Sequence, residues 1–311
     1  PRSLSNFREN FPSSTIIEEA NQRLYLATTV RVSTYKMKVI PLNEGLAILE
    51  EAIVKAGKVM EGCPEMHFTA NEYMKYYECV YHMAIQREPC EYTAQLYERY
   101  RTALEDSINA KVLPCLLYHD GMPLLTDLVK AWSAYKVMSN WLAKFFGYLD
   151  RFYTARKDLL PLRAVATQCF RRLALQEELF QKILHVLFSM IDYERDGNQI
   201  DSVLVKHVMD LLVECGMEFE QAMLAHTAAY YSRKSSEWIA EDSCNDYIMK
   251  ADWCLNQERG RICRYLDCTK WEPLLQVAKY QLIDETVNKL REKQLVEPLS
   301  TANFQILVVG N

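Results

Sequence analysis

From about Asn43 to Lys293 the apolar residues recur at intervals of three and four. That spacing sets them on one face of a helix with 3.6 residues per turn. Leu46, Leu49, Ile53 and Met60 predict a first helix, which Gly62-Cys63-Pro64 ends. The segment Thr69–Ala84 carries the strongest signal. Thr69 followed by Glu72 fits a capping box, so a helix starts there. Tyr73, Tyr77, Val80, Tyr81 and Ala84 then form one apolar stripe, with Met74, Tyr76 and Met83 outside it or at its edge. A helix apolar on more than one side is either deeply buried or covered by a partner. Tyrosine and methionine suit a partner surface, because both are enriched at interface cores and tyrosine keeps one polar end. The spacing alone fits both readings.

Leu96, Tyr100, Ala103, Leu104 and Ile108 mark a third helix running toward Val112, interrupted by Pro114 and the His119-Asp120-Gly121 turn. One long helix is predicted from about Leu124 to Tyr153, carrying Leu128, Trp132, Tyr135, Trp141, Phe145 and Tyr148. A boundary follows at Leu159-Leu160-Pro161. Beyond it, Leu162–Leu173 and Leu179–Ile191 predict two more helices, and Glu194–Asn198 a turn. A helix from Asp201 to Cys215 stops at Gly216, a left-handed terminator. Further helices are expected at about Glu218–Ile239, Asn245–Tyr265 and Pro273–Lys293. The fold class is therefore all-α, with two bundles in series, residues 37–160 and 161–293. Residues 1–36 read as a divergent, flexible extension, and residues 294–311 as a tail in which ANFQILVVGN resembles a lone strand.

Composition agrees with helices. Nine glycines and ten prolines in 311 residues are too few for many strands and their turns. A net charge of −5 without a long basic run shows no nucleic-acid footprint. No run approaches 18 consecutive apolar residues, so no membrane span is expected. Cys79, Cys169, Cys215, Cys254 and Cys263 sit within helical patterns, where cysteine acts as a small hydrophobe. Without CxxC pairs or a signal peptide, reduced thiols and a cytoplasmic and nuclear location are expected.

Catalytic patterns are missing. Asp192-x-Glu194-x-Asp196-Gly197 resembles the start of a calcium loop, but Val203 stands where the twelfth-position glutamate belongs. None of the six histidines has another four residues away. There is no GxSxG, P-loop or GxGxxG motif. No cofactor or metal is implied. Arg233 and Lys234, in the run Tyr230–Trp238, could meet a phosphate or RNA, or complement the dipole of a helix end.

Together these stretches resemble the amino-terminal region of a cullin, closest to the plant type that joins Skp-type adaptors. The resemblance rests on NEYMKYYECVYHM (71–83), LYERYRTALEDSI (96–108), LVKAWSAYKVMSNWLAKFFGYLDRFY (128–153), YERDGNQID (193–201), AYYSRKSSEWIAEDSCNDYIMKAD (229–252) and ERGRICRYL (258–266). It implies a stalk of stacked five-helix cullin repeats. It also implies a non-catalytic scaffold, which holds a Skp-type adaptor and its F-box partner in an SCF-type ubiquitin ligase. The family's adaptor site, on the second and fifth helices of the first repeat, falls on Tyr73, Met74, Tyr77, Val80 and Tyr81, and on Trp132, Tyr135, Lys136 and Met138. Tyr77 and Trp132 are the members expected to share in the core.

The chain departs from the family pattern in three respects. It ends after about two repeats, without counterparts of the third repeat, the carboxy-terminal domain or the lysine that accepts the ubiquitin-like modifier, so no RING partner is implied. Gly216-Met217 runs almost directly into Phe219, where plant relatives have a longer acidic connection. Both ends are unlike the family. The expected roles are an adaptor-binding fragment and a competitor of full-length cullin. The alternatives are an unrelated helical-repeat tethering protein, a helical enzyme and a nonfunctional truncated copy.

Overall fold

The computed structural model describes residues 39–62, 67–86, 91–266 and 271–296. The expected extension at 1–36 lies outside them, as does the tail beyond residue 296. From Ile40 onward the chain forms one compact unit. Its described residues are helical with short connections and contain no strand.

Helix α1 (Leu42–Val59) packs beside α2 (Ala70–Ile85). The expected capping box is present: the Glu72 amide donates to Thr69 Oγ1 at 3.2 Å, and the Thr69 amide to Glu72 Oε2 at 2.8 Å. The two helices approach closely at Gly45, where an added Cβ would stand 2.1 Å from the buried Met83 sulfur. Gly45→Ala is therefore expected to cost net stability in urea melts, about 1–3 kcal/mol of overpacking exceeding any helix-propensity gain. Adding Met83→Ala should recover part of that loss. A Gly45→Ala protein more stable than wild type would show that Met83 simply moves aside.

Helix α3 (Thr93–Ser107) does not stop at Pro114. It widens into a π-helical turn, Ile108–Val112, and continues as α4 (Leu113–Tyr118). The correction has a local cause. Pro114 falls in the first turn of the renewed α-helix, where its missing N–H is tolerated. Gly121, at φ +67°, then turns the chain into α5 (Met122–Phe145).

The predicted helix to Tyr153 also needs correction. It breaks at Phe146 and resumes as α6 (Gly147–Leu149), a π-helical turn (Asp150–Thr154) and α7 (Ala155–Lys157). Asp158, at φ +53°, ends it. The connector is anchored: the Tyr97 hydroxyl donates to the Leu160 carbonyl at 3.0 Å, and Tyr100 to that of Leu162 at 2.9 Å. Asp150 Oδ1 accepts the Leu162 amide at 2.8 Å, which caps α8 (Leu162–Ala174).

Then come α9 (Glu177–Arg195), α10 (Ser202–Glu214), α11 (Glu220–Glu241) and α12 (Cys244–Tyr265). Last are α13 (Glu272–Lys279), a π-helical turn (Tyr280–Asp284) and α14 (Val287–Val296). The short connection after α10 closes without strain. Gly216 takes φ +65°, its amide donates to the Val213 carbonyl and that of Met217 to the Leu212 carbonyl, a Schellman stop. The Tyr230–Trp238 run lies inside α11, not at a helix end, so its cations do not serve a terminus. Lys234 pairs with Asp196 at 2.9 Å.

One apolar core runs from Ile40 to Leu274, continuous across the Leu159–Pro161 connector, and a smaller cluster surrounds Tyr231, Tyr247, Ala278 and Leu282. A buried polar network ties α9 to α11 and α12. Glu258 accepts from Arg195 Nε at 2.7 Å, Arg261 Nη1 at 2.6 Å and the Tyr231 hydroxyl at 2.7 Å. Arg195 also donates to Thr227 Oγ1 at 2.9 Å. The carboxylates of the calcium-like stretch are used up in this region: Asp192 by Arg195 and His226, Glu194 by Arg261 and Arg264, Asp196 by Lys234 and Tyr230.

Of the cysteines expected in the core, Cys79, Cys169, Cys215 and Cys254 are buried, whereas Cys263 is exposed. No described helix is long and apolar enough to cross a membrane.

Candidate functional site

Helix α2 has two unlike faces. Its core face is Tyr76, Cys79, Val80 and Met83. Tyr76 and Met83 thus sit at the centre of the buried stripe, not at its edge. The cause is a set of large rings on one side: Phe68 lies 6.1 Å and Phe145 5.3 Å from the Tyr76 ring, and Trp141 packs on Phe68 at 5.0 Å. They cover a turn of α2 that its sequence spacing alone would leave half open.

The outer face carries Tyr73, Met74 and Tyr81, all half-buried, with Tyr77 at the margin (7% exposed). Tyr73 and Tyr77 stack with centroids 6.0 Å apart. The row continues onto the segment after α5. Tyr81 meets Tyr148 edge-on at 5.1 Å, and Tyr148 stacks on Phe152 at 4.6 Å. Phe152 itself is 42% exposed, an unusual position for a phenylalanine in a packed helical body. Burial pushes the Tyr73 and Tyr77 hydroxyls above their ordinary value, while nearby Arg151 pulls the other way. Both phenols stay neutral donors at physiological pH.

The nine residues expected to contact a partner do not form one surface. Val80 is fully buried behind the tyrosine row. Trp132, Tyr135 and Met138 are buried too, at 5%, 0% and 1% exposure, and the two rings face α8 rather than solvent. Trp132 packs on Phe170 at 4.6 Å, and the Tyr135 hydroxyl donates to the Ala166 carbonyl at 2.9 Å. Lys136 is half-buried and pairs with Glu214 at 2.9 Å, the same carboxylate that the Trp132 indole reaches. These residues of α5 join it to α8 and α10. The corrected surface is Tyr73, Met74, Tyr77 and Tyr81, joined by Tyr148 and Phe152.

Phe152 escaped the sequence reading, although its i, i+4 spacing from Tyr148 was a usable signal. A continuous helix to Tyr153 gave no reason to expect the π-helical turn that carries Phe152 beside α2.

Such a surface can bind but has little means to react. Its polar groups are phenols, Arg151 and the edge residue His82, and among the described residues no cluster of His, Cys, Asp or Glu could hold a metal. An apolar aromatic centre with hydroxyls at its margin is the make-up of a protein-binding hot spot.

Comparison with known proteins gives the family. Residues 48–308 match the Cullin alpha solenoid domain. Cullin-1 of Oryza sativa subsp. japonica is 40% identical over 271 residues, covering 85% of this chain but 36% of the relative. Putative cullin-like protein 2 of Arabidopsis thaliana is also 40% identical, over 82% of this chain and 70% of its own length. Cullin-like protein 3 of the same plant is 34% identical, over 76% of this chain and 93% of its own length. The chain therefore spans about a third of full cullins and most of the shorter cullin-like proteins. With an all-α fold and a family match over most of its residues, the chain belongs to the cullin family.

Proposed function

We propose that this chain is a scaffold segment of a cullin-RING, SCF-type ubiquitin ligase, and that it holds a Skp-type adaptor with its F-box partner. The observation that carries this reading is the half-buried tyrosine row of α2, continued by Tyr148 and the exposed Phe152. The rings rest on a dense core, so binding loses little side-chain freedom, which favours affinity. The chain would perform no covalent step. It would keep receptor and substrate at a fixed place, and positioning of that kind is what transfer to a held substrate requires.

This chain added in excess would therefore occupy adaptors that a full-length cullin needs. Added at about a hundredfold over its own dissociation constant to a reconstituted SCF reaction, it is expected to suppress substrate ubiquitination almost fully. Extra adaptor–F-box complex should restore the reaction. An undiminished rate at that excess would reject the competitor role.

A further inference from the structure

Helix α12 turns two large apolar side chains toward solvent. Met249 is 60% and Trp253 52% exposed, one helical turn apart. Single exposed apolar residues are ordinary, whereas a contiguous pair forms a patch. The patch belongs to a longer face. Asp246, Met249, Trp253, Asn256, Gly260 and Cys263 are all exposed and recur at intervals of three and four, the seam spacing of one helix packed on another. Large side chains fill the first part of this seam and small ones the last. At Gly260 an added Cβ would meet nothing within 4 Å.

Charge divides along the helix in the same sense. Asp252 and Arg259 are exposed on one flank of the seam, each just before a seam position. Neither takes part in an ion pair among the described residues. Asp252 accepts from the Asn256 amide group at 3.2 Å, and Arg259 donates to the Asn256 carbonyl oxygen at 3.3 Å. The other charges beside the seam are committed: Lys250 to Asp242 and Arg264 to Glu194, both at 2.6 Å, while Asp246 accepts the Ser243 hydroxyl at 2.7 Å.

A second copy of α12 laid antiparallel supplies the complement of each position. With Trp253 set against Asn256 of the second copy, Met249 falls against its Gly260, and Asp246 against its Cys263 at the wet end of the seam. Asp252 then meets Arg259 of the second copy on one flank, and Lys250 meets its Gln257 on the other. The two-fold axis repeats every contact. A parallel pair would set Trp253 on Trp253, leave a gap between two glycines and bring Arg259 beside Arg264.

We propose that α12 is a homodimer seam, closed by an antiparallel second copy of this chain, with Trp253 as its anchor and the Asp252–Arg259 pairs fixing its direction. The seam lies on a different helix from the tyrosine row and does not depend on adaptor binding.

The test is sedimentation velocity of the full chain from about 1 μM to about 500 μM. Four large apolar side chains make a small interface, so a reversible dimer with a Kd of about 10–100 μM is expected. Trp253→Glu should weaken it at least about a hundredfold, because the anchor is lost twice. Asp252→Arg and Arg259→Asp should each weaken it about tenfold by opposing like charges. An equal mixture of those two variants should regain the wild-type affinity, since only the antiparallel heterodimer restores both ion pairs. Circular dichroism checks that each variant is folded. Wild type that stays monomeric at about 500 μM overturns the inference. A dimer indifferent to Trp253→Glu places association on another surface and overturns it too. A mixture that associates no better than its separate components overturns the antiparallel seam.

Discussion

Glu258→Ala is expected to destabilise the second half of the protein by about 3–5 kcal/mol, the usual effect of removing one partner from a buried ion pair. Glu258 is 1% exposed and accepts from Arg195, Arg261 and Tyr231 at once. Without it Arg195, itself 6% exposed, keeps Asp192, Thr227 and the faces of Tyr230 and Tyr231, while Arg261 keeps Glu194. Burial alone would raise the Glu258 pKa, but the two arginines outweigh burial and hold it below its usual 4.5. A carboxylate with a depressed pKa in the folded state adds stability above its unfolded value and loses it as pH falls through the folded one. Wild type should accordingly lose stability below about pH 4, where an unfolded glutamate protonates. Glu258→Gln should flatten that acid limb. Denaturant melts at pH 7 and pH 3.5 read both effects. A variant that melts with wild type would mean that the network contributes nothing net.

Tyr73→Ala with Tyr77→Ala should weaken capture of the adaptor complex by at least about a hundredfold. An aromatic hot-spot residue is worth about 2 kcal/mol or more on truncation. Two independent losses would give about a thousandfold. The rings stack on each other, so the losses overlap and the double effect falls short of their sum. Helicity should survive, because Tyr76, Val80 and Met83 still fill the core behind α2. Circular dichroism checks the fold, and Tyr73→Phe with Tyr77→Phe separates ring contact from hydroxyl bonding.

The helices, their order and the capping of α2 were legible in the sequence because each rests on local physics. Thr69 and Glu72 satisfy each other, Gly216 adopts a conformation that favours glycine, and the apolar spacing sets most buried faces. What local spacing cannot carry is the choice between two apolar faces. Tyr76 became core because Phe68 and Phe145 arrive from elsewhere in the chain, and Tyr81 stayed half open because Tyr148 meets it by an edge. Trp132, Tyr135 and Met138 carry interface-type side chains, yet α8 and α10 claim that side of α5.

The π-helical turns were illegible for a related reason. A wider turn leaves no mark in an apolar pattern read at 3.6 residues per turn, and it moves every later side chain around the axis. Phe152 lies in such a turn, and its ring joins the row of α2 through Tyr148.

The most direct test is a calorimetric titration of the purified chain with a Skp-type adaptor–F-box complex, run beside the Tyr73→Ala, Tyr77→Ala protein. The expected result is one-to-one binding of wild type with a Kd between about 1 nM and about 1 μM, a range of about −12 to −8 kcal/mol, and a Kd at least about a hundredfold higher for the variant. Equal affinity for both would remove the site from this face. Silence from a well-folded wild type would contradict adaptor binding itself.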